Sequence, residues 1–246
     1  MIKEALQYIT DLKAQSEQTQ VLEICGKTYA NRKLVRYGEE EKASPLKVST
    51  LSALLDYIKS RGMEEFKGSM ILHIKSPEEV ALISGLNAER ERETLILAEA
   101  EVSGFRFGSW YDQERFIIEL QANFEETEDL KKVKKCSGNM EAKTTAKYGD
   151  DGVSQKVTVN KGIATLEEEK VPNPVYLVPY RTFSEVEQPG GNFVFRVREN
   201  GTPEFCLVEA GNGLWKIDAI ANIREHLQAE IDKMPEELRG KLSIIG

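Results

Sequence analysis

Ile2, Ala5, Leu6, Ile9 and Leu12 recur at three- and four-residue steps, so residues 2 to 17 are expected to form an amphipathic helix with a charged back and a core face to bury. Two short β-like runs follow, Val21 to Cys25 and Thr28 to Tyr37, with Gly26-Lys27 as the turn between them; a charged loop, GEEEKASP, comes next. The hydroxyl of Ser49 or Thr50 can cap a second helix that aligns Leu51, Leu54, Leu55 and Ile58 and ends at Arg61-Gly62. The pattern then changes to apolar, β-compatible runs, SMILHI, VALISGL and ETLILAEAEV, which predict an antiparallel meander.

Helical period returns from Asp112 to about Lys135, carried by Phe116, Ile117, Leu120, Phe124, Leu130 and Val133. Residues 139 to 164 predict a hairpin about Asp151-Gly152, and NFVFRVRE and EFCLVEA predict another about Asn200-Gly201, a pair that readily adopts the positive φ of a tight turn. Gly211-Asn212-Gly213 closes that strand, and Ile217, Ile220, Ile223, Leu227 and Ile231 define a long last helix. The fold class is therefore α+β, with antiparallel hairpins and a meander between an N-terminal and a long C-terminal helix. Two regions, 1–108 and 109–246, or one intimate body, are the expected organisation. The apolar tail end SIIG would be costly to expose alone.

Composition narrows the partners. With 41 Asp and Glu against 33 Lys and Arg, the average field repels nucleic acid and anionic lipid. The first residues, MIKEALQYITDLKAQSEQ, carry acids where a secretion signal has an apolar block, and no stretch is long and apolar enough for a membrane span, so a cytoplasmic chain is expected. Cys25, Cys136 and Cys206 lack paired spacing, which fits a reduced compartment. Only His73 and His226 are available for imidazole chemistry, neither has a second histidine at ligand spacing, and no metal site or cofactor is expected. Trp110 and Trp215 read as core or contact anchors.

Candidate chemistry concentrates in VPYRTFSEVEQP, residues 178–189. Pro174 and Pro179 remove two ladder donors, which confines this strand to a sheet edge or a bulge. Arg181, placed near an apolar layer, needs a carboxylate, and Glu185 or Glu187 is the expected partner. Pro179, Arg181, Phe183, Glu185 and Glu187 are accordingly read as a structural joint or subunit contact in preference to a catalytic set.

Three weaker signals compete. Gly26-Lys27-Thr28 mimics the end of a phosphate-binding loop but lacks the upstream glycine and the following helix. Asp129 with Glu141-Ala142-Lys143 imitates a metal-dependent nuclease layout, a form that recurs by chance in a chain this charged. Lys131, Lys132, Lys134 and Lys135 form the one local basic concentration and are the nucleic-acid candidates, with EETED just upstream offsetting their field.

The strings DDGVSQKVTVNKGIA, VPNPVYLVPYRTFSEVEQP and FVFRVR, with the GNGLWKIDAI helix entrance, resemble a family of proteins carried by phages and prophages, grouped with YfdQ-like domains of unknown function. The similarity runs from about Ser109 to the last helix. It implies a phage-associated protein of the host cytoplasm and no particular reaction. Taken with the proline-marked edges and the amphipathic first helix, the expectation is a non-enzymatic chain that assembles with itself into a symmetric homo-oligomer such as a ring or closed shell. A nucleic-acid-binding accessory protein or weak metal-dependent nuclease is the alternative.

Overall fold

The computed structural model describes residues 2–24, 26–30, 42–66, 68–87, 90–102, 104–140, 147–150, 155–158 and 173–246. The architecture is α+β, as the alternation of periods predicts. The chain divides into two compact units, Met1–Lys42 and Ala43–Gly246.

The first unit contains helix α1 (Ile2–Glu17) and an antiparallel hairpin of β1 (Val21–Ile24) and β2 (Lys27–Ala30), turned by Gly26 at φ 72°. The helix forms where its period predicts, but the expected core face is corrected: none of its residues is buried. The second predicted run is a strand only as far as Ala30, and residues 31–41 lie outside the described residues.

The second unit begins with β3 (Leu46–Val48) and α2 (Leu51–Glu65). Thr50 caps α2 by accepting the Ala53 N–H, and the helix continues past the expected stop to Glu65, where the Phe66 N–H donates to the Gly62 carbonyl. The meander forms as β4 (Met70–Ser76), β5 (Glu79–Ser84) and β6 (Thr94–Glu99). A two-residue strand, β7 (Tyr111–Asp112), precedes α3 (Gln113–Asn123) and α4 (Glu128–Gly138). The single helical stretch expected there is thus two helices. Thr127 starts the second by accepting the Leu130 N–H, and Phe124, between them, bridges to Pro179.

β8 (Lys147–Asp150) and β9 (Gln155–Thr158) form the first predicted hairpin, with the Asp151-Gly152 turn outside the described residues. β10 (Val175–Leu177), β11 (Gly191–Asn200) and β12 (Thr202–Ala210) follow; Gly201, at φ 76°, turns the last two. Helix α5 (Trp215–Ile231), the short α6 (Glu236–Arg239) and β13 (Leu242–Ile245) complete the unit.

Two sheets organise this unit, in strand orders β13-β4-β5-β6-β3 and β10-β11-β12-β7. The apolar tail becomes β13, parallel to β4 with Leu242 opposite Met70, and β3 runs parallel to β6 at the other edge. Each sheet has its own hydrophobic cluster. In one, α2 and α5 cover the meander through Leu51, Leu54, Ile58, Ile223 and Leu227; in the other, Phe116, Leu120, Leu130 and Val133 of α3 and α4 meet Phe193, Phe195 and Phe205. Residues 109–246 therefore do not close on themselves, because α5 and β13 return to the sheet of residues 46–99. The division into compact units falls between Lys42 and Ala43. No helix among the described residues is long and apolar enough to cross a membrane.

Candidate functional site

The segment 178–189 passes from one hydrophobic cluster to the other. Val175 and Leu177 of β10, an edge strand as the prolines require, belong to the aromatic cluster, while Phe183 and Val186 belong to the α2/α5 cluster. Pro179 is buried, and its neighbours are tied to the end of α3: Tyr180 N–H donates to the Asn123 carbonyl at 2.9 Å and Glu125 N–H to the Val178 carbonyl at 2.8 Å.

Arg181 lies at the crossing point, its side chain only 9% exposed. The expected pairing with Glu185 or Glu187 is corrected: Nη1 donates to Oε1 of Glu209 on β12 at 2.8 Å. Nη2 donates to the Pro189 carbonyl at 3.2 Å, and the guanidinium stacks 4.1 Å from the Trp215 ring and 5.7 Å from that of Phe193. Burial pulls the arginine below its ordinary range, and the Glu209 carboxylate opposes that pull. Nε is buried without a hydrogen-bond partner among the described residues.

Gln188, which the sequence reading did not single out, clamps this turn from inside. Its Oε1 accepts the Arg181 and Thr182 N–H groups at 3.0 and 3.3 Å, and its Nε2 donates to the Phe183 carbonyl at 2.8 Å. Thr182 donates to the Pro77 carbonyl at 2.5 Å, tying the turn to the β4–β5 connection. Gly190 leaves room for Tyr176, whose hydroxyl would lie 2.1 Å from a Cβ at that position.

The two glutamates act elsewhere. Glu185 accepts the Ser52 N–H at 3.0 Å, placing a carboxylate at the start of α2, whose own first turn contains no acid. The Glu187 side chain is exposed, and its carbonyl accepts from Asn222 on α5 at 2.9 Å. The five residues grouped by sequence thus share one segment but not one cluster of side chains.

The lysine run lies on α4. Lys131 pairs with Glu128 at 2.7 Å, Lys132 with Asp129 at 3.0 Å and Lys134 with Glu126 at 2.6 Å; Lys135 sits in the last turn. Asp129, proposed as a metal ligand, accepts the Tyr176 N–H at 3.0 Å, and that bond and Lys132 hold its carboxyl below the usual range. Glu141 and Lys143 lie outside the described residues, and no group of metal-ligating side chains occurs among those described. The expected Gly26-Lys27 turn is corrected by one residue: Gly26 lies in the hairpin turn while Lys27 opens β2 opposite Ile24, and a strand, not the helix a phosphate loop needs, follows.

A different feature stands out in the Met1–Lys42 unit. Ile2, Leu6, Tyr8, Ile9 and Leu12 of α1 and Val21, Leu22, Ile24 and Tyr29 of the hairpin are all between 46% and 81% exposed. The register puts Leu22 opposite Tyr29 and Ile24 opposite Lys27, so three of the hairpin's apolar side chains share one face. This surface was written in the helical period, but only its exposure identifies it as a candidate contact. In the second unit, Ile217, Ile220 and Ala221 of α5 line an open groove of about 630 Å³ with Arg224 and Gly246.

No family model, curated protein or solved structure matches the chain.

Proposed function

We propose that this protein is non-enzymatic and self-assembles into a symmetric homo-oligomer, a ring or closed shell being the larger forms, in the cytoplasm of a host cell that carries its phage or prophage. The phage setting rests on the resemblance of the RTFSEVEQP block and its neighbours. The assembly rests on one observation, the exposed apolar surface of the Met1–Lys42 unit.

The magnitudes favour association. A unit of this size has too little interior to stabilise itself, and none of the described residues in its helix or hairpin is buried. Burying an aliphatic side chain removes roughly 60–120 Å² at about 25 cal/mol per Å². The nine side chains, about half or more in water, thus offer roughly 300–600 Å² in all, up to the lower end of what one partner contributes to a stable contact. Patches of that size on a soluble surface mark contact sites.

The nucleic-acid alternative has less behind it, because three of the four candidate lysines already face carboxylates on or just before their own helix. Size-exclusion chromatography with light scattering tests the assembly. The expected result is a mass of two or more chains, and a single-chain mass over a wide range of concentrations would end the reading.

A further inference from the structure

We infer that α1 is the contact between copies, its apolar stripe packing antiparallel on the stripe of α1 from a second copy. The inference rests on the self-association reading and adds the surface and its geometry.

Ile2, Ala5, Ile9 and Leu12 follow one another by three, four and three residues, the a/d seam of paired helices, with Leu6 and Tyr8 flanking it. Placing two such helices antiparallel about a two-fold axis near Gln7 sets Ile2 against Leu12 of the other copy and small Ala5 against large Ile9. Leu6 then meets Leu6 on one flank and Tyr8 meets Tyr8 on the other. A parallel pair would put Ala5 against Ala5 and leave a gap at the centre of the seam, which close packing disfavours. Antiparallel pairing also opposes the helix dipoles. The stripe is complementary to itself in only one of the two directions.

Self-complementarity and charge select a second copy as the occupant. The helix stripe alone falls short of a large contact, so the pair it forms is small against the ~600–1,000 Å² per partner of the standard class, and the Leu22, Ile24 and Tyr29 face of the hairpin is the further apolar area in the same unit. An anionic bilayer would demand a polar face rich in Lys and Arg, whereas α1 has Lys3 and Lys13 against Glu4, Asp11 and Glu17.

Leu6→Glu with Ile9→Glu in the full chain tests this. Neither residue supports the interior, so the circular dichroism spectrum should be kept while the scattering mass falls at least twofold; Gln7→Glu, on the back of the helix, should leave the mass unchanged. Mixing an Ala5→Cys chain with an Ile9→Cys chain should then give mixed disulfides in excess over same-position ones, above the wild-type background. An oligomer unaffected by the double substitution would overturn the α1 contact and leave self-association standing. Predominant Ala5-to-Ala5 position cross-links would overturn the antiparallel direction. A wild-type monomer would remove both, and a monomer that co-sediments with phosphatidylserine vesicles would transfer the stripe to a membrane.

Discussion

Arg181 keeps a permanent positive charge inside the protein, and its neighbours show how the cost is met. One carboxylate, one carbonyl and two aromatic faces surround the guanidinium. Hydrogen bonds to charged groups contribute about 1.5–3 kcal/mol and a cation over an aromatic ring about 0.5–2 kcal/mol, so Arg181→Ala should lower the unfolding free energy by about 2–4 kcal/mol in a urea titration. Arg181→Lys should recover only part of that loss, because an ammonium lacks the flat fork that reaches Glu209 and lies on Trp215. Tyr57 gives a test by pH. Partial burial, reinforced by its hydrogen bond to the Glu65 carboxylate, pushes its pKa up to about 12 from 10.0. The folded state thus favours the neutral phenol: this contribution is complete below pH 10 and is lost as pH rises toward 12. Comparing the alkaline stability of the wild type with that of Tyr57→Phe, alongside tyrosinate absorbance, should show the loss in that window and its absence in the variant.

At the scale of elements, helix starts are set both locally and from a distance. Thr50 and Thr127 cap α2 and α4 with their own hydroxyls, and Thr127→Ala should cost about 0.5–2 kcal/mol in a denaturant titration. α2 also borrows the carboxylate of Glu185, 133 positions away in sequence. Glu185→Ala should destabilise by about 1 kcal/mol, and Glu185→Gln, which keeps an acceptor but removes the charge, by about half of that. A role at the subunit boundary alone would leave the monomeric helix indifferent to this residue, so the ranking separates the two. The separation of α3 from α4 is an element-scale outcome too. Both halves have apolar residues at helical steps, yet Phe124 leaves the helix to pair with Pro179, and Glu125 donates to the Val178 carbonyl.

For the whole molecule, the second unit has two cores joined at residues 178–189, and the first presents an apolar surface without burying any of its described residues. An isologous contact through α1 closes a dimer, and a ring or shell needs a second surface. Charge bears on the nucleic-acid alternative at this scale. With a net charge of −8 and the α4 lysines paired, duplex and single-stranded DNA should give no saturable anisotropy change even at about 50 mM salt. Binding that weakened steeply with added salt would revive that alternative.

The sequence by itself determined what is local. Periodicity identified α1, α2 and α5, apolar β-compatible runs identified the meander, and Asn200-Gly201 located the β11–β12 turn, because backbone sterics and burial act over a few residues. It also marked 178–189 as a place where polar groups must satisfy one another. Tertiary structure decided the partners. Glu209 in place of Glu185 for Arg181, the stacking of Trp215, the clamp made by Gln188 and the parallel pairing of β13 with β4 all join residues whose proximity no spacing encodes. The exposure of α1 belongs to the same class: a stripe of Ile and Leu fixes that a face must be covered, while the packing of the rest of the chain decides whether the cover comes from within or from another molecule.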